Sequence, residues 1–443
     1  MSERRGRLTV IATGSRGDVQ PQVALAARLQ QAGYRVRFAT HRSFADLVAA
    51  GSLEQAPLSG DSAKFFGGAG GIALREKLRQ PGAAAGFVEN LLGPFIRRFL
   101  AECVEISRDA DAILYWPPSL VGPPLSERLG IPCFAVATYP LPHCRTRAFP
   151  NPWAPPSEVA GTRAARSGAA NERSWATGES IWSSFFRQEV ARWRREQLGL
   201  PALSPLLERR RLRRLPHLLG FSPAVLPKPD DWPAPMHVTG YWFLDLARQF
   251  TPPPALLDFL AAGPPPVAIG FGSMAARDSR AMTEVVVAAL ERAGARGILL
   301  SGWGGLRQRE PAANVFQIDA VPHDWLFPRV AAAVHHGGSG ATAAALRAGV
   351  PSLAVPFGFD QDLWGERLFR LGAGAAPIPQ AELSPDRLAA ALRLLTGDPG
   401  LRRQAAELAR VIAAEDGTGQ AVAVVDRHLG VAGPPVSPPR PAR

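Results

Sequence analysis

Short apolar strands, each followed by a helical pattern, recur in two series along this chain. LTVIAT (8–13) reads as a strand, and Pro21–Ala32 carries Val23, Leu25, Ala26 and Leu29 at helical spacing before Gly33. YRVRFAT alternates as a second strand, and DAILYW (111–116), a helical pattern over Ser119–Leu129 and IPCFAVAT (131–138) continue the series. The other series begins at PVAIGF (266–271) and runs through GILLS (297–301), VFQID (315–319), AAAVHH (331–336) and PSLAVPF (351–357). Helices are expected over 384–397, 400–414 and 418–429. Such alternation predicts an α/β chain of two tandem units, each with a parallel sheet. In sheets of that kind ligands bind beyond the carboxyl ends of the strands, so motifs there carry the chemistry.

The 443 residues suffice for two or three domains of ~150 residues, with cores that need no disulfide staples. The expected division is 1–240 and 241–430, with the Pro-rich 223–254 stretch as linker and a disordered tail at 431–443. Cys103, Cys133 and Cys144 form no CxxC pair, so neither a disulfide framework nor a zinc ribbon is indicated. No apolar run reaches the ~20 residues of a membrane span, and the apolar stretch near the N-terminus is too short for a signal peptide. The expectation is a cytoplasmic chain, with peripheral contact at the inner membrane surface left open.

The net charge is +12, but lysine occurs only at Lys64, Lys77 and Lys228, so arginine supplies the rest of the 50 basic residues. That bias, with no RRM, KH or zinc-finger pattern, argues against a nucleic-acid partner. An anionic small ligand or an acidic lipid surface stays compatible with the charge. ERRRLRR (208–214) reads as a solvated helix face in preference to a lipid-headgroup site.

Three motifs sit at strand ends. GSRGDVQP (14–21) places Asp18 near a helix start; it lacks GxGxxG, and spacing alone favours a helix N-cap over a functional carboxylate. GFGSM (270–274) offers Gly270, Gly272 and Ser273 as a small-residue loop able to hold a phosphate or simply to turn. The third is the most informative. His335-His336 ends a strand, and Gly337, Gly338, Ser339 and Gly340 lead into a helix whose free N–H groups and dipole favour an anion. Asp360-Gln361 follows the next strand, a carboxylate beside an amide that suits vicinal hydroxyls or caps a helix. Phe65, Phe66, Phe87, Phe95, Trp175 and Trp182 read either as core or as the wall of an apolar acceptor pocket.

At these residues the chain resembles the GT-B glycosyltransferases of the UDP-glycosyltransferase superfamily, above all the sterol 3-β-glucosyltransferase branch and its bacterial relatives. The matching stretches are GSRGDVQP, ATHRSF, FSPAVLPKPDDWP, VTGYWFLD, GFGSM, SGWGGL, PHDWLFP, HHGGSGATAAALRAGVP and PFGFDQDLWG, in family order from residue 8 to about 380. The resemblance implies two Rossmann-like domains facing across a cleft, acceptor in the first and nucleotide diphosphate sugar in the second. It implies inverting, metal-independent transfer of a hexose, glucose from UDP-glucose, to a lipophilic alcohol such as a sterol, with no cofactor beyond that co-substrate. Antibiotic, polyketide or carotenoid tailoring with a TDP- or UDP-sugar is the alternative. A nucleotide-sugar epimerase and a non-catalytic sensor are remoter ones. Asp18 matches the family's base. Ser273, His335, Ser339 and Gly340 match the diphosphate contacts, with Gly272 and Gly338 among the donor-binding residues, Asp360 and Gln361 match the sugar contacts, and Trp303 and the Val321–Trp325 segment the surroundings of the uracil. Plant members carry a ribose-gripping Glu after the Gly-rich turn, where this chain has Ala341-Thr342-Ala343-Ala344.

Overall fold

A computed structural model describes residues 5–61, 93–153, 167–274, 278–303, 305–307 and 312–431, the side chains of 93–94 and 180–187 excepted. The tail at 432–443 lies outside the described residues. Two fully parallel sheets organise the chain, with strand orders β3-β2-β1-β4-β5-β6-β7 and β10-β9-β8-β11-β12. The strands of the first sheet are β1 (Arg7–Ile11), β2 (Arg35–His41), β3 (Glu54–Leu58), β4 (Ala112–Tyr115), β5 (Cys133–Ala137), β6 (His217–Leu219) and β7 (Met236–Val238). Those of the second are β8 (Val267–Gly270), β9 (Gly297–Leu300), β10 (Val315–Ile318), β11 (Ala332–His335) and β12 (Ser352–Ala354). The central strands are buried on both faces, as continuous apolar runs such as AILY and CFAVA require.

Three expectations are corrected. The first helix begins at Arg16, not Pro21. The loop-like GSRGD is itself the first turn: Ser15 is the N-cap, and Asp18 at N3 reaches back to accept from the Ser15 N–H at 2.8 Å and the Ser15 hydroxyl at 2.9 Å. Asp18 is therefore not the cap. Second, the 223–254 stretch is no bare linker. It supplies the edge strand β7 and buries Trp232, Tyr241, Trp242 and Leu246. Strands of three residues are too short to show a period.

Third, a division at residue 240 does not hold to the end of the chain. The last helix, Gly417–His428, packs Ala421, Val422, Val424 and Val425 into the core built around Leu8, Val23 and Leu25 of the first unit. Burying one such side chain contributes roughly 1.5–3 kcal/mol, so this return fastens the two units together. Asp426 completes it, accepting from the Tyr34 hydroxyl and the Arg5 guanidinium, both at 2.7 Å. Among the described residues no helix is long and apolar enough to cross a membrane.

Candidate active site

The carboxyl ends of both sheets open on one cavity of about 1440 Å³. The Arg16–Gln31 helix and the Ser339–Ala348 helix direct their N-termini into it from opposite walls. The two turns nearly touch, since a Cβ at Gly340 would lie 3.8 Å from the Gly17 Cα. Thr138 and Ser339 share a buried hydroxyl–hydroxyl hydrogen bond of 2.9 Å between the units.

On the first wall stands Asp18. Its Oδ2 is held by Ser15, and its Oδ1 accepts from the Tyr139 hydroxyl at 3.2 Å. Gly14 precedes this turn at φ 104°, where a Cβ would meet Asp18 Oδ2 at 2.6 Å, so close packing of the carboxylate requires glycine there. Burial raises the Asp18 pKa, and the hydrogen bonds from Ser15 and Tyr139 oppose that rise. The result is a carboxylate of increased basicity that keeps a fixed direction.

On the opposite wall β11 ends at His335, which is 2% exposed. Its Nδ1 accepts from the Gly337 N–H at 3.0 Å, so the proton sits on Nε2, which has no hydrogen-bond partner among the described residues. Burial, with His336 and His323 nearby, lowers its pKa to about 3, which makes it a neutral donor. Gly337 has φ 84°, and a Cβ there would meet the Gln361 carbonyl at 2.8 Å, so the bend admits no side chain. Gly338 caps the Ser339–Ala348 helix without a side-chain hydrogen bond, leaving the first-turn N–H groups to the cavity. An anion is favoured at that point by those groups and by the helix dipole.

Gly272, Ser273, Trp303 and Val321 line the same cavity, as do Gly338, Ser339, Gly340, Asp360 and Gln361. Trp303 also packs on Phe44 of the first unit, with ring centroids 6.5 Å apart. Gln361 Oε1 accepts from the Phe357 N–H at 2.7 Å. Asp360 accepts from Trp364 Nε1 at 2.7 Å and caps the Gln361–Arg370 helix through its backbone. Burial, aided by the charge of Asp18, pushes the Asp360 pKa to about 7. Of the aromatic candidates, Phe95 lines the cavity. Trp175 does not: it is fully buried, with Nε1 donating to the Phe149 carbonyl at 2.9 Å. An aromatic at helical spacing looks the same in sequence whether it faces a pocket or the core. Phe65, Phe66, Phe87 and the side chain of Trp182 lie outside the described residues.

Several cavity residues escaped the sequence reading. Tyr139 and Trp116 stand just past β5 and β4, and Trp116 Nε1 donates to the Tyr139 hydroxyl at 3.0 Å. The strand-end rule could have found both. Trp153 packs with tilted rings against Tyr139 and Phe359, at 5.2 and 5.7 Å between centroids, bridging the two units beside Asp360. Phe359 holds φ 61°, which is rare for a bulky residue.

Residues 8–150 match the glycosyltransferase family 28 N-terminal domain, and residues 307–425 the C-terminal domain of erythromycin biosynthesis protein CIII-like proteins. The chain is 37% identical over 445 residues to sterol 3-beta-glucosyltransferase UGT80A2 of Arabidopsis thaliana, covering 98% of this chain and 67% of that protein. UGT80B1 of the same plant is 36% identical, over 96% and 68%. The chain belongs to the sterol 3-beta-glucosyltransferase family of GT-B glycosyltransferases. It spans only about a third of the fungal members, such as that of Neosartorya fischeri, at 35% identity over 96% of this chain and 29% of theirs. Solved glycosyltransferases share the fold of this glycosyltransferase. The kitacinnamycin glycotransferase superposes with TM-score 0.66 at 20% identity, covering 96% and 100% of the two chains. VinC, in complex with DTDP, gives 0.62 at 20%, over 96% and 99%.

Proposed function

We propose that this enzyme moves glucose from UDP-glucose to the hydroxyl of a lipophilic alcohol of the sterol class, with inversion and without a metal ion. The observation that carries the reading is Asp18 facing the His335–Gly340 bend across one cavity, a base on one wall and an anion cradle on the other. The acceptor oxygen attacks the anomeric carbon, and the bond from that carbon to the diphosphate oxygen breaks on the far side. Asp18 takes the hydroxyl proton, and the nucleoside diphosphate leaves. A base opposite the leaving group implies a single displacement and hence inversion.

The transition state resembles an oxocarbenium ion, and negative charge grows on the departing diphosphate. His335 Nε2–H and the first-turn N–H groups of the Ser339–Ala348 helix are fixed before reaction, so they stabilise that charge more than the ground state, and the Ser273 hydroxyl lines the same cavity. Those donors carry the work that a bound cation would otherwise do. Asp360 and Gln361 hold the sugar, and Trp303 and Val321 border the base of the nucleotide. The sterol class rests on the Arabidopsis relatives and on the apolar rings of Phe95, Phe99 and Trp116 along the acceptor wall.

The test is a matrix of UDP- and TDP-sugars against sterols, other lipophilic alcohols and polyketide aglycones, read by product mass. A hexose-bearing sterol formed from UDP-glucose supports the proposal. Transfer confined to polyketide aglycones, or to TDP-sugars, overturns the substrate assignment.

A further inference from the structure

The arginine run at 208–214 takes no part in the cleft, yet its helix has an unusual surface. Pro205–Arg214 is capped by Ser204 and buries none of its residues. At 100° per residue, Leu206, Leu207, Arg210, Arg213 and Arg214 fall within one arc of about 120°. All five are exposed, and Leu206 and Leu207 are 48% and 49% accessible. The remaining positions are tied inward. Arg211 pairs with Glu127, and Arg209 stands 3.9 Å from Glu179. Pro205, Glu208, Arg209 and Leu212 line a cavity of about 290 Å³ beneath the helix. Among the described residues, Arg210, Arg213 and Arg214 have no carboxylate within ion-pair distance. The helix thus shows three free guanidinium groups interleaved with two bare leucines, on a face held outward by ion pairs on its other sides.

We propose that this face docks the enzyme on an anionic lipid bilayer, with the arginines at the headgroups and the leucines in the acyl boundary. An amphipathic helix with leucine between arginines fits that interface, since apolar insertion and headgroup attraction act on the same face. A nucleic acid would use the guanidinium groups and leave the leucines in water. The cavity beneath the helix shares Pro118 with the catalytic cleft, so docking brings the acceptor wall close to the lipid.

The test is co-sedimentation of the full chain with vesicles of phosphatidylcholine alone or mixed with phosphatidylglycerol, in the absence of donor and acceptor. A wrong acceptor assignment therefore leaves the result standing. Binding is expected to the mixed vesicles only and to weaken as salt rises. The triple variant Arg210→Gln/Arg213→Gln/Arg214→Gln should bind about 100-fold more weakly, at roughly fivefold per arginine near an anionic surface. Leu206→Ser/Leu207→Ser, which keeps every charge, should bind about tenfold more weakly. Melting temperatures within a few degrees of the parent establish that the variants fold. Equal binding to both vesicle types, no binding by the parent, or parent-like binding by the folded variants would overturn the proposal. Displacement from mixed vesicles by a short DNA duplex acting through the same three arginines would assign the face to nucleic acid instead.

Discussion

The Tyr139 hydroxyl donates to Asp18 Oδ1 at 3.2 Å while accepting from Trp116 Nε1 at 3.0 Å. Donation from the indole polarises the hydroxyl and strengthens its bond to the carboxylate. Together with the Ser15 contacts this holds the carboxylate in one orientation toward the cleft.

Removing the base while keeping the turn is the most direct check. In Asp18→Asn the amide oxygen can still accept from Ser15, so the helix start should survive. Turnover should fall by about 10²–10⁴-fold, the usual contribution of a general base. Calorimetry should find the affinity for the sugar nucleotide nearly unchanged. Near-normal turnover would refute the assignment of Asp18.

The relay behind Asp18 should appear in a pH profile. The Tyr139 hydrogen bond favours the charged carboxylate, so Tyr139→Phe should raise the Asp18 pKa further. Activity requires the ionised form, so the acid limb of kcat/KM should move to higher pH. The plateau at alkaline pH should fall less than in Asp18→Asn. An acid limb that stays in place would show that Tyr139 serves packing alone.

The cradle has its own signature. His335→Ala removes the Nε2–H donor and should lower kcat by about 10²–10³-fold, as for loss of one preorganised donor. Rapid-quench turnover at saturating donor measures this, and it separates the effect from weaker donor binding. A change confined to KM would mean that His335 binds substrate and transition state equally.

Acid should weaken the fold through its buried histidines. His143 and His217 lie Nε2 to Nε2 at 2.6 Å, and burial lowers both pKa values, that of His217 to about 4. The unfolded chain binds their protons near pH 6.5, whereas the folded chain takes them up only at lower pH, for His217 near 4. Stability therefore holds above pH 6.5 and falls as pH drops from there toward 4. At pH 5.5 the loss should be roughly 1 kcal/mol per such histidine, measured by urea unfolding against pH 7.5. Equal midpoints at the two pH values would contradict it.

The parallel α/β class, the strand ends as sites, and the Gly337–Gly340 bend were legible because each is local. A strand end beside small residues exposes backbone N–H groups wherever the chain later goes. Two local signals went unread. Ser15 and Asp18 stand at capping-box spacing, so the first helix could have been started at Arg16. Tyr139 follows directly on a predicted strand, and Trp116 is the last residue of another. The three-residue strands β6 and β7 left no period to read.

What the sequence determined by itself was the set of chemical groups and the elements that carry them: an acidic residue at one helix start, a histidine and a glycine bend at another. Tertiary structure alone decided which groups meet. Asp18 and Tyr139 lie 121 residues apart, and Thr138 and Ser339 lie 201 apart. Their contacts exist because two sheets turn their carboxyl ends toward one space, and because the Gly417–His428 helix returns to bury its apolar face on the first unit. Burial then sets the basicity of Asp18 and the neutrality of His335, and burial belongs to the assembled fold, not to any stretch of residues.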